Sequence, residues 1–293
     1  MRMRFRFALG TALAVIGAGA LLSSVRAADE AAIPNFGMDA KVGWVAGVPD
    51  SDEPIGDDFL PPESGPGPVV SDKDHPYIDN TFATRKGIQP TFHVADLTNP
   101  ILRPWVREEL RKVNRRVLAG EGVYTPKERC WPIGVPGWMV YPVTPIYFLQ
   151  TPKVVTMIWQ EDHMVRHIYL TDKHPDHVKP SWFGDSIGHY ENGDTLVIDT
   201  VGLNTRTFVY QFRTPHSEQL HVVERYTVAA DGKSMEAIAT VEDPGAFTTT
   251  WSARQHYRRV EQGPMQENVC AENNSGFFER AVEPIPTADK PDF

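Results

Sequence analysis

Residues 220–241 read LHVVERYTVAADGKSMEAIATV. Polar and apolar side chains alternate on both sides of Asp231-Gly232, a dipeptide that suits a tight hairpin because glycine accepts the left-handed backbone such turns need. The stretch therefore predicts two antiparallel strands, 219–228 and 233–241. In the first, His221, Val223, Arg225 and Thr227 share one face, and Leu220, Val222, Glu224 and Tyr226 share the other. His221 and Glu224 therefore point to opposite sides of the sheet.

The same period of two extends outward in both directions. Runs at 144–150, 153–160, 164–170, 186–190, 194–200, 206–212 and 247–258 are rich in Val, Ile, Thr, Tyr and Trp and are separated by short turns. Asn192-Gly193 supplies a second hairpin signal. Consecutive strands without intervening helices leave exposed edges unless the sheet closes. The expected fold is mainly β: an antiparallel meander closing into a lipocalin-like barrel of 8–9 strands, with one N-terminal helix and an extended arm.

Upstream, Arg2, Arg4 and Arg6 precede the apolar run Phe7–Leu22 and the small-residue site Val25-Arg26-Ala27. This pattern predicts an export signal over 1–27. The apolar run is shorter than the roughly 20 residues a spanning helix needs, so no stable span is expected after cleavage. A periplasmic or secreted location follows. Residues 28–100 are rich in Pro, Gly and Asp and form the arm. Within 101–136, Pro104 suits a first helical turn, and Val106, Leu110, Val113 and Val117 recur at helical spacing before Gly120. The barrel domain is expected over 137–262, with a tail over 263–293.

With 38 acidic against 29 basic side chains and no basic cluster beyond the export signal and the helix face of Arg107, Arg111, Lys112, Arg115 and Arg116, nucleic acid is not the expected partner. Only Cys130 and Cys270 exist. In an oxidising compartment they suggest a disulfide tying the tail to the domain's entrance. A cysteine nucleophile or metal thiolate is the competing reading, without a nearby Cys-x-x-Cys partner. No phosphate-cradling glycine loop, dinucleotide fingerprint or haem-attachment motif occurs, and no cofactor is expected.

An ordered series of motifs runs from Cys130 to Asn274. It includes Pro180-Ser181-Trp182-x-Gly184-x-Ser186-Ile187-Gly188, Gly193-Asp194-Thr195-Leu196-Val197, Pro215-His216-Ser217-Glu218, Leu220-His221 through Glu224-Arg225, and Cys270-x-Glu272-Asn273-Asn274. In these the chain resembles a large family of exported bacterial proteins. The resemblance brings no catalytic residues with it. Similar sequences usually hold Trp-Leu-Asp where this chain reads Phe208-Val209-Tyr210, a phenol in place of an acid.

Candidate site residues follow from the polar groups among these strands. His216 or His221 is the expected general acid/base, because imidazole titrates near working pH. Glu224 or Asp199 would orient it, and Tyr210 is a possible proton donor. Trp182, Trp159, Phe208, His167 and Tyr169 would line a pocket for a small aromatic or lipophilic molecule. Lyase, isomerase or hydrolase chemistry in a barrel pocket is the first expectation. A lipocalin-like carrier without catalysis is the second. A hydrolase with a divalent metal such as zinc at His174 and His177 is the third. Oligomeric state is left open.

Overall fold

The computed structural model describes residues 33–37, 41–47, 58–60, 70–78, 83, 84, 86–89, 91–121, 123, 125, 126, 130–140, 144–261 and 263–270. For 58–60 only the backbone enters the description. The export signal expected over 1–27 and the tail beyond 270 lie outside the described residues.

Ten strands form one mixed sheet: β1 Val42–Ala46, β2 Asp58–Leu60, β3 Ile146–Gln150, β4 Val154–Trp159, β5 Met164–Tyr169, β6 Asp185–Glu191, β7 Thr195–Val201, β8 His221–Val228, β9 Ser234–Glu242 and β10 Trp251–Glu261. Nine of them, β1 and β3–β10, close into a barrel because β1 pairs with both β3 and β10. The end of β10 runs antiparallel to β1, from Val42↔Glu261 to Ala46↔Tyr257, and its beginning takes β2 on the same edge. Both predicted hairpins are present. Asn192 and Gly193 turn with φ of 53° and 78°, and Gly232 turns with φ of 67°.

Three features differ from the sequence expectation. First, β1 comes from the arm, whose Val-Gly-Trp-Val-Ala is one turn of alternation too short to stand out, yet Trp44 is fully buried. Second, the meander is interrupted, since β5 and β6 run parallel and share the single pairing Tyr169↔Ile187. Parallel neighbours need a connection of a dozen or more residues, and residues 170–184 provide it. Third, 206–212 is not a strand. Asn204 Oδ1 accepts the Arg206 N–H, the Val209 N–H reaches the Thr214 carbonyl, and Arg213 adopts φ of 62°. The segment folds back on itself and drives Val209, Tyr210 and Phe212 into the core. Its alternation reflects a buried loop.

The helix α1, Pro104–Leu118, starts on its proline as expected. It buries Val106, Leu110, Asn114 and Val117. Asn114 takes a core position because its amide pairs with both the N–H and the carbonyl of Ala95, satisfying two buried backbone groups of the arm. A second helix, α2 Gly137–Val140, is one turn long and places Trp138 against Trp159 and Phe183. Gly134 before it has φ of 74°, and a Cβ there would lie 2.7 Å from Thr207.

Buried side chains from β1, β3–β5 and β7–β10 join one core, including Trp44, Phe148, Met157, Trp159, Ile168, Ile198, Val222, Tyr226, Ala239 and Ala253. These side chains occupy the barrel interior. One polar cluster sits within it. Arg166 of β5 and Glu224 of β8, 1% and 0% exposed, form an ion pair at 2.6 Å. Arg166 also donates to Ser186 on β6 and Thr200 on β7, and the Tyr226 hydroxyl donates to Glu224 Oε1. Arg166 thus spans the β5–β6 seam from inside, where backbone pairing is down to one residue pair.

Cys130 and Cys270 form a disulfide with Cα atoms 5.4 Å apart. Beside it, Asp162 Oδ1 accepts the Cys270 N–H at 2.6 Å and the Asp162 N–H donates to the Asn268 carbonyl. Residues 266–270 are therefore held against the turn between β4 and β5. Among the described residues no helix is long and apolar enough to cross a membrane.

Candidate functional site

Alternation sends Asp185 of β6, Asp199 of β7, His221 of β8 and Glu242 of β9 to the outer face of the barrel wall. In register, Asp199 lies opposite Val223 and His221 opposite Glu242, so the four groups form a diagonal row across four strands. The β5–β6 connection brings His174 onto the same row. His174 Nδ1 lies 2.6 Å from Asp185 Oδ1, and its Nε2 lies 3.0 Å from Asp199 Oδ1. His221 Nε2 lies 3.0 Å from that same Asp199 oxygen. His221 Nδ1 stands 3.8 Å from Glu242 Oε2, beyond hydrogen-bond reach.

These distances assign protons. A carboxylate only accepts, so a ring with a carboxylate at each nitrogen donates from both and is an imidazolium. Burial of the His174 ring works against that charge. Its hydrogen bonds to Asp185 and Asp199, together with their negative charge, outweigh burial and raise its pKa above the ordinary histidine value. Asp199 meanwhile holds His221 by Nε2–H. The His221 Nδ1 makes no hydrogen bond among the described residues, on a side chain 35% exposed. Oriented imidazole, carboxylate partner and open nitrogen are the parts of a general base.

Two of the expected acid/base residues, His221 and Asp199, are brought together here. Glu224 is not, because it faces the barrel interior and pairs with Arg166. His216 is buried at 2% exposure, with Nδ1 on the Ser217 carbonyl and Nε2 on Thr207 Oγ1, both at 2.9 Å. Burial lowers its pKa against the opposing pull of the Ser217 carbonyl and Asp243. A neutral ring that donates Nδ1–H to the Ser217 carbonyl and accepts the Thr207 hydroxyl at Nε2 has both nitrogens occupied and braces the loop. Ser217 in turn gives its hydroxyl to Asp243 Oδ1.

The expected pocket residues scatter. Trp159 is fully buried in the core and donates Nε1–H to the Thr144 carbonyl. His167 and Tyr169 stand exposed on the outer face of β5, with His167 beside Thr156 Oγ1. Trp182 leans on Trp131, and the Arg206 guanidinium lies 5.9 Å from its ring centre. Phe208 and the buried Tyr210 line a crevice of about 20 Å³ with Ile133 and Val140. A wider, open groove of about 320 Å³ lies beside the turn joining β8 and β9, lined by residues that include Thr227, Glu236 and His256. The proposed metal pair does not converge, since His174 has both nitrogens on carboxylates and His177 is exposed. Among the described residues no group of three or more His, Cys, Asp or Glu has the arrangement to hold a metal ion.

No family model, curated protein or solved structure matches this chain. Function is therefore read from the geometry of its own residues.

Asp185 and Glu242 were missed in the sequence. A signal for Asp185 existed: the Asn192-Gly193 turn sets the register of its two strands, and Asp185 and Asp199 share odd positions and hence one face. Nothing local marks the return of His174 to that face, since it depends on where a long connection lands.

Proposed function

We propose that this chain is an exported, periplasmic or secreted enzyme that catalyses proton transfer on a small molecule, with its reactive group on the outer barrel wall. His221 Nδ1 takes or returns the proton, Asp199 orients the ring and stabilises its charged form, and Glu242 flanks the open nitrogen. His174 and Asp185 back Asp199 from the other side. Ile187, Val201 and Val223 share this outer face with the row, a partly apolar floor that suits the aromatic or lipophilic substrate class expected from the sequence. Lyase, isomerase or hydrolase chemistry fits a single oriented imidazole of this kind.

The observation that carries this reading is Asp199 Oδ1, 3.0 Å from Nε2 of a histidine whose side chain is 35% exposed and whose other nitrogen makes no hydrogen bond to a described residue. The test is incubation of purified wild-type protein and His221→Gln with fractionated small-molecule extracts, followed by mass spectrometry. Conversion by wild type, with a loss of roughly 10²–10⁴-fold in the variant, is the expected result. Equal conversion by both proteins, or none by wild type, refutes it.

A further inference from the structure

The connection 170–184 is attached to the barrel very unevenly. Its second half is pinned through the backbone: the Ser181 N–H donates to the Gly202 carbonyl and the Asn204 N–H to the Ser181 carbonyl. Val178 also fills the hollow over Gly202, where a Cβ would come within 2.2 Å of Val178 Cγ1. The first half is tied at its start, where the Leu170 N–H donates to the Lys153 carbonyl and Leu170 packs on the core. Beyond it Thr171, Asp172, Lys173, Pro175, Asp176 and His177 are all exposed, and His174 is half-buried among them. The sheet beneath does not hold these residues, since β5 and β6 meet at one pairing.

We propose that His174 is a proton-operated latch: as an imidazolium it clips the 171–177 segment to the barrel wall, and on losing its proton it releases that segment and leaves Asp199 to His221 alone. This rests on the reading of His221 and Asp199 as the working pair and adds their regulation.

The mechanism follows from hydrogen count. An imidazolium donates to Asp185 and Asp199 together, whereas a neutral ring has one N–H. On deprotonation, one contact turns from a charge-assisted hydrogen bond into lone pair against carboxylate oxygen. The groups facing the ring favour the charged form. Asp185 comes from β6 and Asp199 from β7, with His221 of β8 and Glu242 of β9 behind them. On its own segment, Asp172, Lys173, Asp176, His177 and Lys179 point into solvent. Release accordingly falls on the alkaline side of the ordinary histidine range, in line with the raised pKa of His174.

Coupling to His221 comes through one atom. Asp199 Oδ1 accepts from both rings, and an oxygen shared between two donors holds each less strongly. When His174 lets go, Asp199 orients His221 alone. His174 is thus a positioning residue.

The experiment is ¹⁵N relaxation of the amides of 172–174, 176 and 177, with titration of the His174 ring, from pH 5.5 to 9. In wild type, order parameters near the rigid value of about 0.85 should fall below about 0.6 as His174 titrates. His174→Ala should show low order at every pH. If that variant fails to fold, Asp185→Asn should lower the midpoint of the transition. Order that does not depend on pH in wild type, a step that survives in His174→Ala, or an unmoved midpoint in Asp185→Asn overturns the latch. His221→Gln should keep the pH step whether or not it retains turnover, so failure of the catalytic reading and failure of the latch are told apart.

Discussion

Glu224→Gln tests the most consequential contact inside the barrel. The substitution keeps the shape of the side chain and an oxygen for the Tyr226 hydroxyl to donate to, and removes only the charge facing Arg166. At the effective dielectric of about 20 that suits protein sites, opposite charges 2.6 Å apart attract by about 6 kcal/mol. Arg166 keeps the Ser186 and Thr200 hydroxyls, so part of that is recovered, and about 3–5 kcal/mol is the expected loss for a buried charge stripped of its partner. Against a typical domain stability of about 5–15 kcal/mol this is a large fraction. Urea denaturation followed by tryptophan fluorescence, with the disulfide intact, reads it directly. Arg166→Met combined with Glu224→Leu should recover most of the loss, because replacing both charges removes the desolvation cost as well as the attraction. A Glu224→Gln midpoint within about 1 kcal/mol of wild type at unchanged slope would refute the reasoning, for it would mean that Arg166 does not depend on that charge.

Further outcomes follow from other parts of the molecule. His174 has a folded-state pKa raised above its unfolded value, so its contribution to stability is full below pH about 6.5 and is lost as pH rises through the folded value; the stability gap between wild type and His174→Ala should therefore shrink from pH 5.5 to pH 9 in urea titrations. Removing the Cys130–Cys270 bridge, which closes a separation of 140 residues, should cost up to about 5 kcal/mol by loop-closure entropy, read as the change in denaturation midpoint on reduction. Gly202→Ala places a Cβ against Val178 at a backbone φ of 69° and should cost about 1–3 kcal/mol while loosening the 178–184 half of the connection, visible in thermal melts and as raised mobility of those amides.

Much of this molecule was legible one strand at a time. The faces of 219–228 came out as read, with Val222, Glu224 and Tyr226 inward and His221, Val223 and Arg225 outward, because a pleated chain must alternate wherever one side is buried. The helix from Pro104 and both hairpins also follow from local chemistry, and the Cys130–Cys270 bridge from the presence of only two cysteines in the chain. The segment 206–212 was misread because a loop folded into a core shows the same apolar spacing as a strand, and β1 was missed because five residues carry too little pattern to outweigh the Pro- and Gly-rich composition around them.

By itself, the sequence determined a β-rich chain with alternating faces, a bridged tail and a set of histidines and carboxylates at known strand positions. Tertiary structure alone decided which of them meet. Pairing register and a long parallel connection bring His174, from one strand's far end, between Asp185 and Asp199, and barrel closure turns one face of every strand inward. That closure buries Glu224 with Arg166 and leaves His221 at the surface. Period-two alternation states only that two residues lie on opposite faces; which face becomes the interior is settled when the first and last strands pair.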